Sequence, residues 1–175
     1  MTELILELWT DGSGNNKTGL GSWAFAGVIN NGVVHQEFQS YHSTTSNRME
    51  MMAAIEALRW ARESVPEFIP VHYSDSQYLL NIPTWAKKWE MNGWKTANKK
   101  PVKNKDLVKR LLTEVTLANG YTSVWVKGHA GVPMNEHVDA LATQAVAEMR
   151  PIEDVRREAK ASQSKVEKAA QMGAF

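Results

Sequence analysis

Apolar and polar positions follow two periods along this chain, and the points where one gives way to the other outline its elements. Residues 4–10 form a short apolar run with one interior charge, Glu7, and the run halts at Asp11-Gly12-Ser13-Gly14. That pattern predicts a strand ending in a flexible turn. Residues 22–29 and 33–41 are β-prone and flank Asn30-Asn31-Gly32, and an Asn-Gly pair between two such runs predicts a hairpin. Three antiparallel strands at the N-terminus follow. Thr44 and Thr45 then offer N-caps for a helix running to about Glu63. Within it Met51, Ala54, Ile55, Leu58 and Ala61 recur at three- and four-residue steps and so share one face.

Pro66 and Pro70 bracket the exit from that helix, and residues 68–74 predict a short strand stopping at Asp75. Residues 76–94 mix aromatics with lysines and predict short helices interrupted near Pro83 and Gly93. Asn104 or Asp106 can cap a helix to about Ala118, with Leu107, Leu111, Leu112 and Val115 facing inward. Residues 121–127 alternate as a fifth strand, and Gly128-His129-Ala130-Gly131 is a flexible loop. Residues 135–149 predict a last helix, with Val138, Leu141, Ala142, Ala145 and Met149 on one side. Three strands, a helix, a strand, helices, a strand and a helix predict a mixed α/β sheet layered with helices. After Pro151 the composition shifts, and residues 152–172 carry large apolar groups only at Ile152, Val155, Val166 and Met172. The expected organisation is one domain over 1–150 and a charged extension over 151–175, a solvated helix or mobile segment open to a protein partner.

The formal net charge of +1 hides an uneven distribution. Between residues 81 and 110 there are nine basic side chains, opposed only by Glu90 and Asp106, a local charge of +7. Trp85, Trp89 and Trp94 interleave with them. Alone, tryptophans cover core and lysines make a solvated face, and packing is the expectation for Trp89; together, aromatics among cations point to nucleic acid. The absence of cysteine excludes disulfides, thiolate metal sites and cysteine nucleophiles. The first residues, Met1-Thr2-Glu3-Leu4, show no basic region leading into a long apolar stretch, and no apolar run approaches the roughly 18 residues of a membrane span. A soluble cytoplasmic protein is expected.

Four acids stand where a strand ends or a helix opens: Asp11, Glu50, Asp75 and Asp139. If the first and fourth strands are neighbours, Asp11 and Asp75 meet at one edge. Acids crowded without counter-charge hold protons; a pair of divalent cations removes the conflict, and carboxylate oxygens suit magnesium. Two such ions can serve phosphodiester hydrolysis. Each acid also has a plain structural reading. Asp11-Gly12 makes a turn, Asp75 caps a helix, Glu50 follows Asn47 at capping-box spacing, and Asp139 is a solvated helix charge. Spacing alone leaves these open.

The residues named so far resemble the successive signatures of type 1 ribonuclease H. They are Thr10-Asp11-Gly12-Ser13, Asn47-Arg48-Met49-Glu50, Ser74-Asp75-Ser76-Gln77-Tyr78, Val126-Lys127-Gly128-His129-Ala130-Gly131, and Asn135-Glu136 followed by Asp139. Trp94-Lys95-Thr96-Ala97 and the segment from Lys99 to Asn104 are similar to the basic handle of bacterial members, here about residues 81–104. The resemblance implies a ribonuclease H-like fold with a five-stranded mixed sheet. It implies cleavage of the RNA strand of RNA/DNA hybrids to 5′-phosphate and 3′-hydroxyl ends, as in removal of RNA primers and R-loops, by a monomer.

The same resemblance implies that Asp11, Glu50, Asp75 and Asp139 bind two magnesium ions, with manganese as a substitute, and that His129 moves protons or aids product departure. An imidazole that titrates near neutrality on a glycine-flanked loop suits that task. For substrate, it implies minor-groove contacts at Gly12, Ser13, Asn16, Asn47 and Gln77, where the 2′-hydroxyl separates RNA from DNA. It implies a DNA-phosphate pocket of Thr45, Arg48 and Asn104, and Trp85 on a deoxyribose. It places Trp94 in the same substrate-binding set and implies that the handle lysines Lys87, Lys88, Lys95, Lys99 and Lys100 attract phosphate irrespective of sequence. The loop after Ser13 departs from the common Gly-Asn-Pro pattern, leaving both Asn15 and Asn16 eligible. Ser46 replaces a common asparagine. Two other classes compete: a hybrid-binding module without catalysis, and an integrase or junction resolvase of the same broad fold.

Overall fold

In the computed structural model, which describes residues 4–118 and 120–149, the chain opens with β1 (Ile5–Gly14), β2 (Gly21–Ile29) and β3 (Gly32–Tyr41). It continues through α1 (Ser46–Ser64), β4 (Ile69–Ser74), α2 (Gln77–Met91), α3 (Lys105–Leu117), β5 (Thr122–Trp125) and α4 (Pro133–Ala147). The strands form one sheet in the order β3-β2-β1-β4-β5. The first three are antiparallel, and β4 and β5 join parallel to β1. This is the mixed five-stranded sheet expected. The extension over 151–175 lies outside the described residues. No helix among them is long and apolar enough to cross a membrane.

Local chemistry explains the elements. Asn30 and Asn31 take left-handed φ values of 50° and 65°, a two-residue hairpin turn that matches the strand twist and that asparagine tolerates. Alternation along β1 sends Leu6 and Leu8 into the core under α1, α2 and α3, while Trp9 faces the smaller core under Val138 of α4. Thr45 caps α1, its hydroxyl accepting from Arg48 N at 3.4 Å, so Glu50 is free of any capping box. Three ion pairs join α1 to α3: Arg48 to Asp106, Arg110 to Glu56, and Arg62 to Glu114.

Two expectations are corrected. Residues 77–91 form a single helix with Pro83 inside it, not short helices broken there. Proline removes one hydrogen bond, to the carbonyl of Leu79, but Leu79, Ile82 and Ala86 on either side are fully buried, and packing of that face outweighs the missing bond. The first strand also runs on through Asp11 to Gly14, paired with β2 as far as Gly21, so Asp11 lies within the strand and the turn comes later. Trp89 packs against the main core, as expected.

One buried polar chain crosses the sheet. His72 of β4 is fully enclosed, with Nε2 2.7 Å from the Thr10 hydroxyl and Nδ1 3.1 Å from the Tyr121 hydroxyl. Burial pushes its imidazole down to about 4, so it stays neutral and both nitrogens are used.

Because Ile82 closes the gap between α2 and the main core without exposure, we expect Ile82→Ala to lower unfolding free energy by about 2–4 kcal/mol. A urea titration should show an earlier midpoint with an unchanged slope.

Candidate active site

The register of β1 against β4 builds the site. Trp9 and Tyr73 are partners in this parallel pair, and their rings stack at 4.3 Å between centroids. Two residues further along each strand direction come Asp11 and Asp75, on the same face and side by side. Ser76 caps α2 with its own hydroxyl, accepting from Leu79 N at 3.2 Å, so Asp75 is not spent on the cap. Glu50 arrives from α1. A Cβ on Gly12 would lie 2.2 Å from Glu50 N, so only glycine lets the α1 backbone lie directly on β1.

Asp11, Glu50 and Asp75 each offer a carboxylate oxygen within 4.8 Å of the others. Asp139, in the second turn of α4, stands outside that trio but is near enough for its charge to push the Asp11 carboxyl up. His129 joins the group through Asp139: its Nδ1 lies 3.8 Å from Asp139 Oδ2, and its side chain is 83% exposed. His129 also holds a left-handed φ of 52° between its two glycines. The structure therefore brings together all five residues singled out for chemistry.

Electrostatics show what the cluster lacks. Asp11 is 7% exposed and Glu50 9%. Burial first, then the charges of Asp75 and Asp139, push the Asp11 carboxyl up to about 7. Burial first, then the charges of Asp11 and Asp75, push Glu50 well above the carboxylate range. Glu50 Oε2 is buried with no hydrogen-bond partner. Hard, crowded, under-satisfied oxygen donors fit a divalent cation.

Three further residues support Asp75, a role the sequence does not disclose for any of them. Asn135, buried on α4, donates from Nδ2 to Asp75 Oδ2 at 3.2 Å. Its signal was the four-residue step to Asp139, which puts both on one helix face. Trp125 Nε1 donates to the Asp75 carbonyl at 3.0 Å. Gly128 sits where a Cβ would lie 2.7 Å from Asp75 Oδ2.

Most of the expected substrate residues fall into two regions. Asn16, Thr45, Asn47 and Asn104 line one open cavity of about 470 Å³, with Thr44, Ser46 and Lys103. Asn15 is engaged elsewhere, its side-chain oxygen accepting from Lys17 N and Thr18 N at 2.9 and 3.2 Å. Ser46 donates to the Gly14 carbonyl at 3.2 Å, and Arg48 Nη1 donates to Asn104 Oδ1 at 3.2 Å. Gly12 and Ser13 continue β1 beside Glu50, and Gln77 is exposed at the start of α2. In the second region Trp85 is half-buried between Tyr78 and Trp89. Lys87, Lys88, Lys95, Lys99 and Lys100 are exposed. Trp94 packs on the core while Lys105 and Lys109 each place Nζ 5.1 Å from its ring centre.

A family model described as RNase H matches residues 4–147. A protein named Ribonuclease H from Francisella tularensis subsp. novicida (strain U112) is 44% identical over 142 residues, covering 81% of this chain and 90% of its own. Another of that name, from Bartonella quintana (strain Toulouse), is 42% identical over 147 residues, covering 83% and 92%. Among solved structures, LC9-RNase H1, described as a type 1 RNase H with the type 2 active-site motif, aligns with a TM-score of 0.68 and 25% identity, covering 86% of this chain and 75% of that one. RNase H1 from the halophilic archaeon Halobacterium salinarum NRC-1 shares the fold with a TM-score of 0.63 and 23% identity, covering 82% and 98%.

The raised Asp11 carboxyl fixes a sign for stability. Its folded value of about 7 exceeds the ordinary 3.8, so without metal its favourable contribution is present below about pH 4 and is lost as pH rises through 7. We expect Asp11→Asn, measured with chelator at pH 8, to be more stable than the parent by about 1–3 kcal/mol. The difference should vanish towards pH 4, and added magnesium should raise the parent's melting temperature far more than the variant's. A second expectation concerns Gly128→Ala: by pushing the Asp75 carboxylate aside it should weaken magnesium binding about tenfold or more, read by calorimetry, with little change in melting temperature.

Proposed function

Because the chain belongs to the RNase H family, we infer that it is an endonuclease hydrolysing the RNA strand of RNA/DNA hybrids. The convergence of Asp11, Glu50 and Asp75 within 4.8 Å, flanked by Asp139 and His129, is the observation that carries this reading. In it Asp11, Glu50, Asp75 and Asp139 hold two magnesium ions, manganese being able to substitute. Bound there, the ions supply positive charge to the attacking and leaving oxygens of the phosphodiester, the products being 5′-phosphate and 3′-hydroxyl ends. Asp11 and Glu50 release their protons as the site fills, since each then gains the partner it lacks. Asn135 keeps Asp75 oriented. His129, exposed and adjacent to Asp139, exchanges a proton with the departing strand.

Substrate selection follows from the open cavity and the basic region around Trp85 and Trp94. Gly12, Ser13, Asn16, Asn47 and Gln77 read the minor groove, where ribose presents its 2′-hydroxyl. Thr45, Arg48 and Asn104 hold a phosphate of the DNA strand away from the cut. Trp85 packs on deoxyribose, and Lys87, Lys88, Lys95, Lys99 and Lys100, with Trp94 as their scaffold, attract the backbone without regard to sequence. The protein acts in this reading as a cytoplasmic monomer.

The decisive experiment uses a hybrid labelled on its RNA strand, with RNA/RNA and DNA/DNA duplexes beside it. Only the hybrid's RNA should be cut, chelator should stop the reaction, and Asp11→Asn should abolish it while circular dichroism stays native. His129→Ala should slow turnover about 10- to 100-fold without preventing binding. Metal-dependent cleavage surviving in Asp11→Asn, or equal cutting of DNA/DNA, would sink the assignment.

A further inference from the structure

Arg48 is already engaged in the free protein. Its Nη1 donates to Asp106 Oδ1 at 3.1 Å and its Nη2 to Asp106 Oδ2 at 2.8 Å. That two-point grip is the one a guanidinium also makes on phosphate. Nη1 reaches Asn104 Oδ1 as well, at 3.2 Å, so one guanidinium touches both the acid and the wall of the open cavity. The cavity itself is lined by hydroxyls, amides and Lys103, with no acid among its lining residues. An acid in the first turn of α3 suits the helix dipole, but the dipole does not require it to clasp Arg48 of α1. The Asp106 side chain is 60% exposed, so it has room to leave.

We propose that Asp106 competes with substrate, its carboxylate standing in for a DNA-strand phosphate on Arg48 and yielding part of that guanidinium when a hybrid enters the Thr45–Asn104 cavity. The inference rests on the phosphate-pocket reading given above. Its physical content is a charge balance. A lysine facing water meets a phosphate unopposed and releases the counterions condensed on the nucleic acid, whereas Arg48 in the free protein is neutralised by its own chain. Binding at this pocket is therefore an exchange of one anion for another. It contributes geometry, in the spacing from the cut, more than raw affinity. Removing the acid frees a full positive charge.

The test measures anisotropy of a labelled RNA/DNA hybrid with the full chain, in chelator, across a salt series. Asp106→Asn should tighten binding about three- to fivefold at low salt. It should also steepen the dependence of log K on log salt by about one. In an Arg48→Ala background the same substitution should change neither. Unchanged or weaker binding in Asp106→Asn, or tightening that persists without Arg48, overturns the proposal. Thr45→Val combined with Asn104→Ala separates the two levels. If that pair weakens binding while Asp106→Asn fails to tighten it, competition is wrong and the pocket stands. If the pair binds as the parent does, the pocket reading falls and the proposal falls with it.

Discussion

The chemistry of this molecule depends on two strands running side by side in the same direction with Trp9 opposite Tyr73. Parallel strands are separated by about 4.8 Å, and equal steps along them arrive at equal heights. Asp11 and Asp75 thus become neighbours because the aromatic pair before them sets the register. A slip of one residue would turn one of the two carboxylates to the opposite face of the sheet. The hydrophobic cores on both faces hold that register, since Leu6 and Leu8 point one way and Trp9 the other. Core packing is in this sense the first determinant of the acidic cluster.

Against that frame works mutual repulsion. Acids forced together in a buried setting either keep protons or need a cation, and the raised carboxyls of Asp11 and Glu50 show the first state. The surrounding fold tolerates this because the strain is spread over elements that have other reasons to stay. α1 is tied to α3 by three ion pairs, and α4 packs its apolar face on the sheet. Gly12 and Gly128 remove the side-chain volume that would otherwise separate the acids.

Much of this was legible in the sequence, for identifiable reasons. The Asn30-Asn31-Gly32 turn, the three- and four-residue steps of α1 and the succession of strands and helices along the chain all follow from local chemistry. What escaped depended on distant contacts. Pro83 signals a break locally, yet buried neighbours on both sides keep α2 whole. Asp11-Gly12 reads as the end of a strand, yet β2 continues to pair with it. The four acids are individually ambiguous, and no spacing rule could bring them together; the register of β1 on β4 joins Asp11 to Asp75, and the packing of α1 and α4 brings Glu50 and Asp139. Asn135 stands in a signature without a role of its own, because an amide announces no chemistry until its partner is known.

The buried His72, bridged between Thr10 and Tyr121, has a consequence of its own. In the unfolded chain its imidazole takes up a proton near the ordinary 6.5, while in the fold it does so only near 4. Acidification across that interval thus draws the chain towards disorder at this residue while relieving the crowded carboxylates, of which Asp11 directly follows its partner Thr10. In metal-free protein the two tendencies oppose each other and flatten the response to acid. Once cations have neutralised the cluster, the relief is gone, and acid adds a second loss by displacing the cations as it protonates their ligands. The loaded protein is consequently the more acid-sensitive of the two forms, an inversion of the usual expectation that a bound ion only toughens its host.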